Sequence, residues 1–93
     1  MARMKKERLP KDYLTAIGHR IKLVRTYLNL DQKEMSVLLE TAQSQVSKIE
    51  AGKSAPTLYQ LLKIKQALEK EPHPDRVVSW SWLLEGRGKG VIG

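Results

Sequence analysis

Along most of the chain, apolar residues recur three and four positions apart, the spacing of a helix with one buried face. Leu14, Ile17, Ile21, Val24 and Leu28 form the first stripe and predict a helix over 13–28. Asp12 is placed to cap its start, and Arg20 and Lys22 fall on the face away from the stripe. Asn29 follows where a left-handed residue is wanted, a conformation Asn tolerates better than most side chains. Leu30 then returns to the core. Met35, Leu38 and Leu39 mark a second, shorter helix ending near Leu39, which Asp31 and Glu34 open with the spacing of a capping box. Val46 and Ile49 mark a third over 43–51, stopped by Gly52. Pro56 and Thr57 start a fourth, with Thr57 and Gln60 again at capping-box spacing. Its stripe is Leu58, Leu61, Leu62 and Leu68, widened by Ile64, while Lys63, Lys65 and Lys70 face solvent. Pro72 and Pro74 break that helix, and His73 between them reads as a loop residue. Ser79 is a cap for a last short helix through Glu85, stopped by Gly86.

The stretch 32–52 organises the rest. It holds two short amphipathic segments joined by the corner Glu40-Thr41-Ala42. Helices this short are marginal alone in water, so they must pack on each other and on a third element. Two short packed helices with a tight corner describe a helix-turn-helix. Ala42 stands where a polar cap would help the third helix; Thr41 caps instead if that helix begins one residue early. With Val46 and Ile49 inward, Gln43, Ser44, Ser47 and Lys48 turn outward, with Gln45 on the flank. This set contains no acid. Gln pairs with the adenine edge, Lys reaches guanine, and Ser is permissive, so the face suits the major groove of DNA. The bland alternative is a generic polar helix face.

Composition sharpens this picture. Ninety-three residues make one domain, and the absence of Phe points to an aliphatic core. A net charge of +7 favours a polyanionic partner, nucleic acid ahead of membrane, over a basic surface that only aids solubility. No Cys is present, so there is no disulfide framework or Cys-rich zinc site, and His19 and His73 lack ligand partners at metal spacing. No apolar run approaches the ~20 residues of a membrane span, and the N-terminus lacks a signal-peptide core; the expectation is a cytoplasmic protein. No nucleophile–base pair, acid pair or metal cluster supports catalysis, and no cofactor is expected. The trailing GRGKG is not a phosphate loop, since no strand precedes it and no helix follows. Residues 1–11 read as a flexible basic arm, 12–86 as the folded domain, and 87–93 as a flexible Gly-rich tail. Arg3, Lys5, Lys6 and Arg8 of the arm either follow DNA phosphates or belong to an ordinary frayed terminus. Trp80 and Trp82, the only tryptophans, close the core or form a dimer face; one is assigned to the core and the other left open to an interface.

The stretch from about Ile17 to Leu68 resembles the helix-turn-helix of the phage Cro and repressor proteins and their bacterial relatives, the XRE-type (Cro/C1-type) regulators. The marks are Gln32 and Glu34 opening one helix, Gln43 opening the next, and Ile49-Glu50-Ala51-Gly52-Lys53 closing it, with Pro56 beyond. Trp82–Gly88 is similar to a tail seen in many repressor-like relatives. The resemblance implies a compact all-α, five-helix repressor-like domain. It implies an ion pair between Arg25 and Glu50, phosphate contacts from Gln32, aided by its helix N-terminus, and from the loop residues Lys53 and Ser54. Lys33 is close enough to Gln32 to add charge. By position in such proteins, Gln43 and Ser44 at the tip of the third helix enter the groove deepest, with Gln45 and Ser47 as further base contacts and Lys48, one turn further, reading a base or a phosphate. Tyr59 either touches the DNA backbone or packs, with packing favoured. The sequence departs from the family at the corner, where Glu40 stands in place of the usual Gly, and at Ser36, still small, in place of Ala.

The expected function is sequence-specific binding of double-stranded DNA by a transcriptional regulator, a repressor by default, acting as a homodimer on an inverted repeat. The rival is an antitoxin that shares the helix-turn-helix, regulates its own promoter and masks a protein partner. An adaptor that touches the transcription machinery without reading bases is a further variant.

Overall fold

The computed structural model describes residues 11–70 and 80–87. These form five helices and, among the described residues, no strand: α1 (Lys11–Tyr27), α2 (Gln32–Leu38), α3 (Gln43–Glu50), α4 (Leu58–Glu69) and α5 (Trp80–Glu85). The fold is the all-α helix-turn-helix architecture. Lys11 is helical rather than part of an arm, and Asp12 lies inside the first turn of α1 instead of capping it from outside. Its carboxylate is still well placed there, since the first turn leaves backbone N–H groups unpaired.

Local sequence sets both ends of the short helices. Asp31 accepts from Glu34 N at 2.7 Å while Asp31 N donates to Glu34 Oε1 at 2.9 Å. Thr57 and Gln60 make the same reciprocal pair at 3.0 Å in both directions. Each cap of this kind stabilises its helix by about 1 kcal/mol. At their C-terminal ends, α1, α2 and α3 close in one way. Leu30 N donates to Arg25 O, Thr41 N to Ser36 O, and Lys53 N to Lys48 O. Each closure requires a left-handed residue just past the helix. Those residues are Asn29 (φ 60°), Glu40 (φ 55°) and Gly52 (φ 77°). Only at position 52 does packing also exclude a side chain, because a Cβ there would lie 2.7 Å from Thr15 Cα. Glu40 bears the left-handed strain of about 1 kcal/mol. Its carboxylate accepts from Tyr59 Oη at 2.7 Å, and Lys63 Nζ lies 3.8 Å away, tying the corner to α4. The cap of α3 is Ala42, with no side-chain hydrogen bond, so Thr41 does not cap this helix.

The core is aliphatic. Ile21, Val24, Met35, Leu39, Val46, Ile49 and Ile64 are almost wholly buried, and Leu83 joins them from α5. Burying one such side chain contributes roughly 1.5–3 kcal/mol, which is what holds α2 and α3 in helical form. The α4 stripe is narrower than the sequence suggests. Leu61, Ile64 and Leu68 face inward, whereas Leu58 is 78% and Leu62 43% exposed. Apolar positions 58, 61, 62, 64 and 68 span more than one helix face, and only the 61–64–68 series follows a single line. Ile64, expected at the margin, sits at the centre.

Two features fix α1 against its neighbours. Gly18 lets α1 cross α3 closely: a Cβ there would lie 2.3 Å from Ile49 O and 2.9 Å from Glu50 O. Arg20, expected to face away, instead reaches α5, donating from Nε to Leu83 O and from Nη2 to Leu84 O, both at 2.9 Å. It satisfies carbonyls that a six-residue helix leaves open. Trp82 is half-buried against the core. The Trp80 side chain, the proposed Ser79 cap, His73 with its flanking prolines, and the arm and distal tail lie outside the described residues.

Candidate nucleic-acid interface

The amphipathic pattern of α3 decides which of its side chains reach solvent. Val46 and Ile49 are buried between α1 and α2, and Gln43, Ser44, Ser47 and Lys48 are exposed together on the opposite side. Gln45 is half-buried, and its Nε2 donates to Ser54 Oγ at 2.9 Å. The outward face therefore carries one formal positive charge, from Lys48, and three neutral polar side chains.

The only acid on α3 is Glu50, and its side chain is 4% exposed. Arg25 engages it with two prongs, Nε to Oε2 at 2.7 Å and Nη2 to Oε1 at 3.2 Å. Gln32 Nε2 donates to Glu50 Oε1 at 3.1 Å, and Arg25 Nη1 donates to Leu30 O at 2.9 Å. One carboxylate thus gathers the end of α1, the start of α2 and the end of α3. A buried charge is tolerated only when paired and hydrogen-bonded, and this one is. The arrangement also withdraws a negative charge from the surface that α3 presents.

Around that face, Lys33 on α2 and Lys53 in the loop after α3 are exposed, and Ser54 is half-buried. Gln32 is half-buried, with one amide N–H committed to Glu50 and its carbonyl and second N–H left over. Arg3, Lys5, Lys6 and Arg8 fall outside the described residues. Tyr59 is half-exposed and hydrogen-bonded to the corner, with Lys63 Nζ 5.9 Å from its ring centroid. The hydrogen bond to the Glu40 carboxylate raises the Tyr59 pKa above 10.0, assisted by desolvation and by the carboxylate charge.

Sequence spacing did not reveal the Gln32–Glu50 and Gln45–Ser54 bonds. Gln32 meets Glu50 across the length of the α2–α3 unit and Gln45 meets Ser54 across the turn after α3, and no periodicity marks either partner. Among the described residues no His, Cys, Asp and Glu cluster could hold a metal ion, and no helix is long and apolar enough to cross a membrane.

Comparison with known proteins places this geometry. A helix-turn-helix family model (HTH_3) matches residues 21–73, more than half of the chain and the whole of the α2–α3 unit. No curated protein sequence matches significantly. A solved structure similar to this one is the restriction-modification controller protein C.AhdI from Aeromonas hydrophila, 32% identical, with a TM-score of 0.55 over 63% of this chain and 89% of that one. The acid-free face of α3, the buried pairing behind it and these likenesses agree: the chain belongs to the Cro/C1-type (XRE) helix-turn-helix family and is a DNA-binding transcriptional regulator, not an enzyme.

Proposed function

We propose that the protein is a sequence-specific repressor that binds double-stranded DNA as a homodimer and reads the major groove with α3. The observation that carries this reading is the fate of Glu50. The one acid on α3 is turned inward and neutralised, which leaves Gln43, Ser44, Ser47 and Lys48 as an exposed face without negative charge. Gln43 and Ser44, at the N-terminal tip, are assigned to base edges, with Ser47 and Lys48 one turn further along. Gln32, Lys33, Lys53 and Ser54 flank the face and are assigned to phosphates, which fix register rather than sequence. Dimerisation follows from the small size of the reading surface: a few exposed residues specify few base pairs, and a two-fold pair doubles the site. The likeness to a restriction-modification controller protein supports a regulatory role. Repression is the default sense, because a bound domain blocks polymerase without further machinery. Such a role is exercised in the cytoplasm.

A second reading, an antitoxin that masks a protein partner, has one observation in its favour. Leu58 and Leu62 stand out of α4 into solvent beside Tyr59, and a partner would cover them. An antitoxin that regulates its own promoter also selects a motif, so co-purification of a small protein partner is what favours that reading, while selection from random duplex DNA at near-physiological salt tests the repressor reading. The repressor reading expects a two-fold-symmetric motif with half-sites about one helical turn apart, bound by two chains. Binding that shows no motif and collapses as salt rises is phosphate attraction alone, and it sends the search to a protein partner.

A further inference from the structure

We propose that Gln45 is a positioning residue: it orients the Ser54 hydroxyl toward a DNA phosphate and does not itself read bases. The proposal rests on the DNA-binding reading above and assigns a division of labour within that interface.

The polar side chains of α3 do not share one environment in the fold. Gln43, Ser44, Ser47 and Lys48 are exposed, whereas Gln45 is half-buried and turned toward the loop that follows the helix. There its Nε2 donates to Ser54 Oγ at 2.9 Å. Reading adenine in the two-pronged way needs both the amide N–H and the carbonyl of Gln aimed at one base edge. An amide already aimed at Ser54 does not offer that geometry.

The direction of the bond matters more than its presence. A hydroxyl that accepts a hydrogen bond keeps its own hydrogen for another acceptor. With Gln45 on one lone pair, the Ser54 O–H points away from the amide, and the open side of a half-buried residue is solvent. The exposed Lys53 stands next to it in the chain. A hydroxyl donor beside an ammonium group fits an anionic oxygen, and on duplex DNA that oxygen belongs to phosphate. The backbone under Ser54 is already fixed. Lys53 N donates to Lys48 O at 2.8 Å, Gly52 N to Ile49 O at 3.1 Å, and Gly52 is pressed against Thr15. What remains free is the hydroxyl rotor, and Gln45 sets it.

The test uses the full chain and the duplex it selects from a random pool. Absence of any selected motif removes the DNA reading itself and is distinct from failure of this proposal. Given a motif, single methylphosphonate substitutions neutralise each phosphate in turn. The wild type loses affinity at a set of phosphates. Ser54→Ala abolishes the loss at one of them, and Gln45→Met, which keeps the side-chain bulk, abolishes it at the same one. Each variant binds about 2–10-fold more weakly, the range of one net hydrogen bond, and the double variant no more weakly than Ser54→Ala alone. Base preferences stay unchanged at every position. Retained sensitivity at that phosphate in Gln45→Met, or a flattened preference at one base pair, overturns the proposal. A thermal melt of Gln45→Met that matches the wild type confirms that folding is not what changed.

Discussion

Arg25 and Glu50 lie 25 residues apart and meet through two hydrogen bonds, at 2.7 and 3.2 Å, behind the exposed face of α3. Their side chains are 14% and 4% exposed. Breaking a buried pair from one side leaves an uncompensated charge, which costs about 3–5 kcal/mol. Arg25→Met is expected to lower stability by about 3 kcal/mol, at the low end of that range because Arg25 is not fully buried. Replacing both partners by apolar residues should recover most of the loss. Urea denaturation of Arg25→Met, Glu50→Leu and the double variant checks this. Additive losses would show that the two side chains act independently.

Gly18 gives a prediction that runs against helix propensity. Ala is preferred to Gly inside a helix by about 1 kcal/mol, so Gly18→Ala would stabilise an open α1. Here the added Cβ lies 2.3 Å from Ile49 O, and that neighbour is backbone. Gly18→Ala is expected to destabilise by more than about 1 kcal/mol, the cost typical of overpacking. It should also weaken DNA binding, because relief requires α3 to move. A denaturation midpoint above that of the wild type would contradict the close crossing.

The Tyr59–Glu40 bond has a pH signature. The neutral phenol donates to the carboxylate, which raises the Tyr59 pKa above 10.0. A raised folded-state value means that the bond contributes fully below the unfolded value near 10 and is lost as pH climbs through the folded value. The corner should therefore loosen only in the alkaline range, above pH 10. Absorbance titration of the wild type against Tyr59→Phe isolates this phenol from Tyr13 and Tyr27. In Glu40→Gln its transition should move down toward 10. An unmoved transition would mean that the carboxylate does not hold the phenol.

The helix-turn-helix was legible in the sequence because its instructions are local. The reciprocal caps at Asp31–Glu34 and Thr57–Gln60 and the stops at Asn29 and Gly52 each act within one helical turn. What stayed hidden depends on contacts across the fold. Gly18 is one Gly in a helical pattern until α3 is laid across it. Arg20 completes a helix 63 residues away, and no spacing rule connects the two. Leu58 and Leu62 extend an apolar stripe whose inward line only the neighbours of α4 select. Within the site, the inward Val46 and Ile49 set the outward direction of Gln43, Ser44, Ser47 and Lys48 and the flanking place of Gln45, but the bond from Gln45 to Ser54 leaves no trace in periodicity.

The proposed function requires that the exposed face of α3 reads bases. The direct measurement is the binding preference of wild type and Gln43→Ala, determined side by side from the same random duplex pool. A base-reading α3 in a homodimer predicts a two-fold-symmetric motif for the wild type. In Gln43→Ala that motif should relax at one position in each half-site, at a cost of about 1–3 kcal/mol per contact, with the other positions intact. A Gln43→Ala profile that matches the wild type at every position would contradict the assignment of the α3 tip to the major groove.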